Sequence, residues 1–63
     1  MTNKLTSREQ GIINLLNDGL TYKEIAESEN IAFNTVKKHI SNIYLKLNAS
    51  NKIEAINKSK EIS

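Results

Sequence analysis

The sequence contains no cysteine, no proline, only two glycines and a single histidine. Without cysteine, disulfides and thiolate chemistry are excluded. Proline and glycine are the strongest interrupters of helices, so their scarcity favours a wholly helical fold. The first ten residues, MTNKLTSREQ, contain no run of apolar side chains. We therefore expect neither a signal peptide nor a membrane span, and we expect a cytoplasmic protein.

The composition also argues against catalysis. His39 has no acid, cysteine or second histidine at helical spacing with which it could bind a metal or act as a base. A glycine-rich phosphate-binding loop is absent as well. We predict that the chain is not an enzyme, with no catalytic residue and no metal, cofactor or small-molecule ligand. Its 63 residues are predicted to form one domain, 1–63, with 1–4 and 61–63 frayed.

The acidic residues are unevenly distributed along the chain. Five of the seven precede residue 30, and none lies between Asn30 and Ile53, where there are four lysines. This asymmetry predicts a positive field on one side of the fold, which is typical of proteins that bind a polyanion. A solvated face without a ligand is the alternative interpretation.

Two capping boxes predict the first two helices. Thr6 and Glu9 form the first, in which the hydroxyl accepts a backbone N–H and the carboxylate reaches back. This helix is expected to stop at 17–19, where Gly19 supplies a left-handed residue. Thr21 and Glu24 open a short helix, about 22–29. The inward side chains are predicted to be Ile12, Ile13, Leu16, Ile25 and Ala26, and Leu5 is placed to act as a hydrophobic staple before the first cap.

A longer helix is predicted at about 33–47, because its apolar residues step by four, three and four. The inward stripe is Val36, Ile40, Ile43 and Leu47, with Phe33 beside it. A short helix, a tight link at 30–32 and a longer helix follow the helix-turn-helix plan. A fourth helix, about 50–60, would begin at Ser50 as cap residue and direct Ile53 and Ile56 toward the core.

The outer side of the third helix carries polar and basic groups. At about 100° per residue, the residues opposite the stripe are Asn34, Lys38, Ser41 and Leu45. The flanks are Lys37 and Tyr44 on one side, and Thr35, His39, Asn42 and Lys46 on the other. Lysine and asparagine can bond to base edges in a major groove, whereas the second flank suits phosphates. Ala32 is a poor cap, and the absence of an acid leaves this helix N-terminus open to a phosphate.

The chain contains four short motifs, Leu5-Thr6-x-Arg8-Glu9, Gly19-Leu20-Thr21-x-Lys23-Glu24-Ile25-Ala26, Thr35-Val36-Lys37-x-His39 and Lys46-Leu47. Taken together, they resemble the LuxR/FixJ/GerE-type helix-turn-helix domain of bacterial transcription regulators. The resemblance covers residues 5 to about 60. It implies an all-α, four-helix domain whose third helix enters the major groove of a promoter operator. It also implies that the fourth helix pairs two copies.

The same resemblance, combined with the outward positions, yields predicted roles. The residues expected to face DNA bases are Asn34, Lys37, Lys38 and Ser41. Those expected to face phosphates are Thr21, Lys23, Thr35, His39, Asn42 and Lys46. The fourth helix is expected to form a homodimer through Ser50, Asn51, Glu54 and Asn57. RNA polymerase is a further candidate partner, and such domains are often the effector part of a response regulator.

Several positions depart from the family pattern. Glu29 stands where leucine is usual, Ala32 where serine or threonine caps the helix, and Gly11 where a long side chain is typical. Asn48 replaces a glycine, which asparagine can do because it tolerates the left-handed region. Lys52 replaces an arginine and loses bidentate bonding.

The predicted function is therefore sequence-specific binding of double-stranded DNA by a bacterial transcription regulator. A protein–protein interaction adaptor built on a degenerate helix-turn-helix is the alternative. An adaptor would have no need of the acid-free stretch between Asn30 and Ile53. RNA binding is disfavoured because the chain lacks the stacking aromatic residues of RNA readers.

Overall fold

The computed structural model describes residues 5–62, with side chains as far as Lys60. Within that range it contains four helices and no strand, which confirms the predicted all-α fold. The helices are α1 (Ser7–Asn17), α2 (Tyr22–Glu29), α3 (Phe33–Leu47) and α4 (Lys52–Ile62). Residues 1–4 and Ser63, for which fraying was predicted, lie outside the described range. Residues 61 and 62 belong to the last turn of α4.

Both predicted capping boxes are confirmed. The Thr6 hydroxyl accepts the Glu9 N–H at 3.1 Å, and the Glu9 carboxylate accepts the Thr6 N–H at 2.9 Å. At the start of α2, Thr21 and Glu24 make the same two bonds at 3.1 and 2.8 Å. Each box satisfies two backbone donors that a helix N-terminus would otherwise leave unpaired. The starts of α1 and α2 are therefore determined by four local residues.

Left-handed residues close the first three helices. Gly19 follows α1 with a φ of 97°, and Asn30 and Asn48 follow α2 and α3 with φ values of 56° and 53°. Asparagine tolerates this region better than most residues because its short polar side chain can bond locally. The Asn30 conformation turns the chain sharply, and the Ile31 N–H then donates to the Ala26 carbonyl at 3.0 Å. This turn sets the angle at which α3 leaves α2.

One hydrophobic core joins all four helices. It contains the predicted inward residues of α1, α2 and α3 and two residues of α4. They are Ile12, Ile13, Leu16, Ile25, Ala26, Val36, Ile40, Ile43, Leu47, Ala55 and Ile56. Because the four-residue stripe of α3 is wholly buried, the opposite side of α3 faces solvent. Gly11 lies in α1 with no atom within 4 Å of where a Cβ would stand, so this departure costs only helix propensity, about 1 kcal/mol.

The prediction for α4 was wrong in two details. Asn51, not Ser50, is the cap, because its side-chain oxygen accepts the Glu54 N–H at 2.9 Å. Ile53 was expected in the core, yet 67% of its surface is exposed. The helix turns Ala55, Ile56 and Ser59 inward instead, which points Ile53 roughly 110° away from the centre of the buried side.

Candidate nucleic-acid interface

The solvent-facing side of α3 forms a continuous polar and basic surface, which we call the outer face. Its exposed members are Asn34, Thr35, Lys37, Lys38, Ser41, Asn42 and Leu45. His39, Tyr44 and Lys46 lie at its margins and are partly buried. The outward ridge predicted from helical periodicity is thus exposed, and Leu45 is its most apolar point at 77% exposure.

The start of α3 differs from the starts of the two preceding helices. Ala32 has the extended backbone of a cap residue, with φ −70° and ψ 150°, but makes no side-chain capping bond. The first turn of α3 contains no acidic residue. The positive end of the helix dipole therefore meets no carboxylate of its own first turn, and an anion placed there would be favoured.

Phe33, which was predicted beside the buried stripe, lies outside the core. Its surface is 48% exposed. Its ring packs on Tyr22, the first residue of α2, with ring centroids 6.4 Å apart. The Lys37 ammonium lies over the Phe33 ring itself, 5.8 Å from the ring centroid. Sequence reasoning missed this contact, although the four-residue spacing of Phe33 and Lys37 signals it.

Lys37 and Lys38 have no carboxylate partner among the described residues, since neither takes part in an ion pair there. Both side chains are exposed. Within the described part of the chain, the fold therefore brings no carboxylate into ion-pair distance of these two lysines.

Lys46 is different, and here the prediction of an unneutralised face was wrong. Its ammonium donates to the Glu9 carboxylate of α1 at 2.7 Å. Glu9 is only 6% exposed, and the same oxygen accepts the Thr6 N–H at 2.9 Å. Burial by itself would raise the pKa of Glu9, but the bonds from Lys46 and Thr6 outweigh it and lower the pKa below its ordinary value. The acid is 37 residues distant in sequence, so only the packing of α1 on α3 creates this pair.

The phosphate-facing residues predicted outside α3 lie at the start of α2. Thr21 and Lys23 are exposed there, and the Thr21 hydroxyl is occupied by the capping bond from Glu24. Near the end of the same helix, Glu29 is 3.6 Å from Arg8 of α1. The family departure at Glu29 therefore introduces an ion pair between α1 and α2.

The residues predicted for a dimer surface are all exposed around the first half of α4. Two of them also stabilise its N-terminus: Asn51 accepts the Glu54 N–H, and the Glu54 carboxylate accepts the Ser50 N–H at 2.8 Å. Asn57 has no such local role. Ile53, which sequence reasoning assigned to the core, is exposed on the same helix.

Two further properties concern the described residues only. No helix within them is long and apolar enough to cross a membrane. The same part of the chain contains no cluster of three histidine, aspartate or glutamate residues that could hold a metal ion.

A short helix, a tight turn and a longer helix with an exposed basic face together define a helix-turn-helix domain. Residues 3–59 match the family described as "Bacterial regulatory proteins, luxR family". The chain belongs to this family, whose members are DNA-binding transcription regulators, and the resemblance inferred from the sequence motifs is thereby confirmed.

Similar proteins include transcription regulators of several kinds. The chain is 48% identical over 59 residues to the transcriptional regulatory protein DesR of Bacillus subtilis, covering 94% of this chain and 30% of DesR. It is 42% identical over 55 residues to the regulator MalT of Vibrio campbellii, covering 87% of this chain and 6% of MalT. It is 37% identical over 51 residues to a probable transcriptional regulator, ycf29, of Cyanophora paradoxa, covering 81% of this chain and 24% of ycf29. The chain thus spans less than a third of the length of these relatives.

Proposed function

We propose that this domain binds double-stranded DNA sequence-specifically, with α3 lying in the major groove. The observation that supports this proposal is the outer face of α3, where Lys37 and Lys38 are exposed without an acidic partner among the described residues. A duplex supplies the missing negative charge, and a major groove is wide enough to admit a helix. Lysines that neutralise phosphates release counterions, so the affinity should depend strongly on salt.

The outer face divides into two kinds of contact. We assign base edges to Asn34, Lys37, Lys38 and Ser41. We assign phosphates to Thr21, Lys23, Thr35, His39 and Asn42. Lys46 receives only a weak phosphate contact, because its ammonium is already paired with Glu9 at 2.7 Å and releases less counterion on binding.

A single copy offers a small contact area, so we propose a two-fold dimer that reads two half-sites through a pair of α3 helices. The pairing surface is α4, through Ser50, Asn51, Glu54 and Asn57. Ile53 supports this assignment. It is 67% exposed, and covering an apolar side chain with a second copy is favourable because its surface is removed from water.

The whole protein would then regulate transcription, as the names of its relatives indicate for those proteins. It would act in the cytoplasm, where the promoter DNA is, and RNA polymerase is a candidate partner. The adaptor alternative assigns the exposed Leu45 and Ile53 to a protein partner instead.

Selection of bound duplexes from a random pool, at two salt concentrations, tests the proposal. We expect enrichment of a two-fold symmetric sequence and weaker binding at the higher salt concentration. Lys38→Met should reduce binding, whereas the matched variant Lys52→Met, with the same charge change at an exposed position of α4, should reduce it less. A wild-type chain that binds no duplex even in dilute buffer would overturn the proposal and favour the adaptor.

A further inference from the structure

All the aromatic residues of the chain, two tyrosines and one phenylalanine, gather where α2 packs against α3. Tyr22 and Phe33 are the first residues of these helices, and their rings lie 6.4 Å apart with an interplanar angle of 48°. Burial raises the pKa of Tyr44, and the nearby Tyr22 hydroxyl raises it further. The Tyr22 ring of α2 therefore contacts the Phe33 ring of α3.

Phe33 presents its ring to a lysine of the outer face. Lys37 follows it by one helical turn, with its ammonium 5.8 Å from the ring centroid. Side chains on a helix lean toward its N-terminus, so Lys37 naturally reaches back over the ring. The negative face of an aromatic ring attracts a cation. Lys37 therefore has a preferred direction in the free protein.

Lys38 provides an internal comparison. It is the same residue type at the next position and is also exposed. Within the described residues it makes neither a ring contact nor an ion pair. Of two adjacent lysines on the outer face, only Lys37 is oriented by the protein before any ligand arrives.

We propose that Phe33, whose ring packs on Tyr22, is a positioning residue that orients the Lys37 ammonium for base recognition and so contributes to base discrimination. This inference rests on the proposed DNA-binding function. A lysine side chain is flexible and loses much rotational freedom when it binds. A ring contact formed before binding reduces this loss of freedom for Lys37. The gain in affinity applies only to the base pair that Lys37 contacts, so it increases discrimination there.

The test compares two substitutions of Phe33 in the 63-residue chain. Phe33→Leu removes the ring, and Phe33→Tyr keeps it. Affinities are measured for a duplex selected from the random pool and for a random duplex. We expect Phe33→Leu to lower the ratio of the two affinities about 2- to 5-fold, and Phe33→Tyr to preserve it. An unchanged ratio in Phe33→Leu would overturn the inference, as would equal losses on both duplexes.

A double-mutant cycle tests whether the effect passes through Lys37. In a Lys37→Met background, Phe33→Leu should produce no further loss of discrimination. In a Lys38→Met background, the full loss should remain. If the loss persists without Lys37, then Phe33 acts in another way and the positioning role is refuted. Thermal unfolding monitored by circular dichroism verifies that each variant is folded at the assay temperature.

An NMR measurement without DNA separates this inference from the proposed function. The ring current of Phe33 should shift the terminal methylene protons of Lys37, and Phe33→Leu should abolish that shift while leaving Lys38 unaffected. If wild type discriminates between duplexes but the Lys37 signals do not move, only the positioning role fails. If wild type binds no duplex, the proposed function fails and the role in discrimination fails with it.

Discussion

The two ends of α3 are built in opposite ways. At its C-terminal end, Lys46 is paired with the buried Glu9 at 2.7 Å. The left-handed Asn48 follows, and its carbonyl accepts a bond from the Lys58 ammonium at 2.7 Å. At the N-terminal end, Ala32 provides no side-chain cap. The nearby Lys37 and Lys38 have no acidic partner in the described part of the chain.

This difference separates stability from binding within one helix. Contacts to α1 and α4 hold the C-terminal end, where satisfied charges strengthen the packing. The N-terminal end leaves backbone dipoles and lysines unsatisfied by the protein's own acids, which costs stability but leaves them available to a polyanion. A lysine is therefore a poor guide to function on α3 unless its partner is known.

The largest effect on stability should come from the anchored end. Lys46→Met leaves the buried Glu9 without its cation, and we expect a loss of about 1.5–3 kcal/mol in the free energy of unfolding. Urea denaturation monitored by circular dichroism measures it. Lys38→Met, the matched change at the open end, should stay within about 0.5 kcal/mol of wild type. Equal losses in the two variants would abolish the distinction between the ends.

For DNA affinity, substitutions at the N-terminal end of α3 should have the larger effect and Lys46 the smaller. Lys37→Ala and Lys38→Ala should each cost about 1–3 kcal/mol at a selected site if they contact bases. Fluorescence anisotropy on selected and random duplexes measures this. A loss of the same size on both duplexes would mark either residue as a phosphate contact. The slope of log affinity against log salt concentration falls by about one when a free phosphate contact is removed. Lys46→Ala should lower this slope by less, because Glu9 already neutralises the Lys46 ammonium.

A cap introduced at the open end would sharpen the comparison. Ala32 already has cap geometry, so Ala32→Ser should stabilise the fold by about 1 kcal/mol. Ala32→Asp should stabilise it similarly, but its carboxylate would occupy the place proposed for a phosphate. We therefore expect Asp, and not Ser, to weaken DNA binding. Thermal unfolding and anisotropy on the same two variants test this, and equal DNA affinities would indicate that no phosphate lies near Ala32.

The smallest effect concerns pH. Because the pKa of Glu9 is lowered in the fold, its charge contributes stability above its ordinary value of 4.5, and this contribution is lost as the pH falls through the lowered pKa. The difference in free energy of unfolding between wild type and Glu9→Gln should therefore shrink as the pH falls below 4.5. In a Lys46→Met background, much of this pH dependence should disappear. Urea titrations between pH 7 and about pH 3 measure both differences, and an advantage that is constant with pH would contradict the charge pair.

Local patterns predicted most of the fold because they act within one or two helical turns. The capping boxes at Thr6 and Thr21 need residues only three positions apart, and the α3 stripe follows from helical periodicity. The start of α4 was harder, since Ser50 and Asn51 are both good caps and side-chain bonding to Glu54 selects the second. Ile53 was misplaced because a short apolar pattern does not specify which side of a helix meets the core.

The candidate site divides in the same way. That the outer face of α3 is exposed was predictable, because burying the four-residue stripe forces the opposite side into solvent. The family match supports its use for DNA, while the separate role of each side chain on that face stays a prediction. Residue order along the chain could not reveal which of its lysines already has a partner.

The amino-acid order alone was therefore sufficient for four helices, the starts of the first three and the direction in which α3 presents its polar side, since each depends on near neighbours. Packing in three dimensions settled that Lys46 is paired with Glu9 and that Tyr22 of α2 lies against the Phe33 ring. The physical reason is distance: Glu9 and Lys46 are 37 positions apart, and no local pattern specifies which charges the folded helices bring within bonding range.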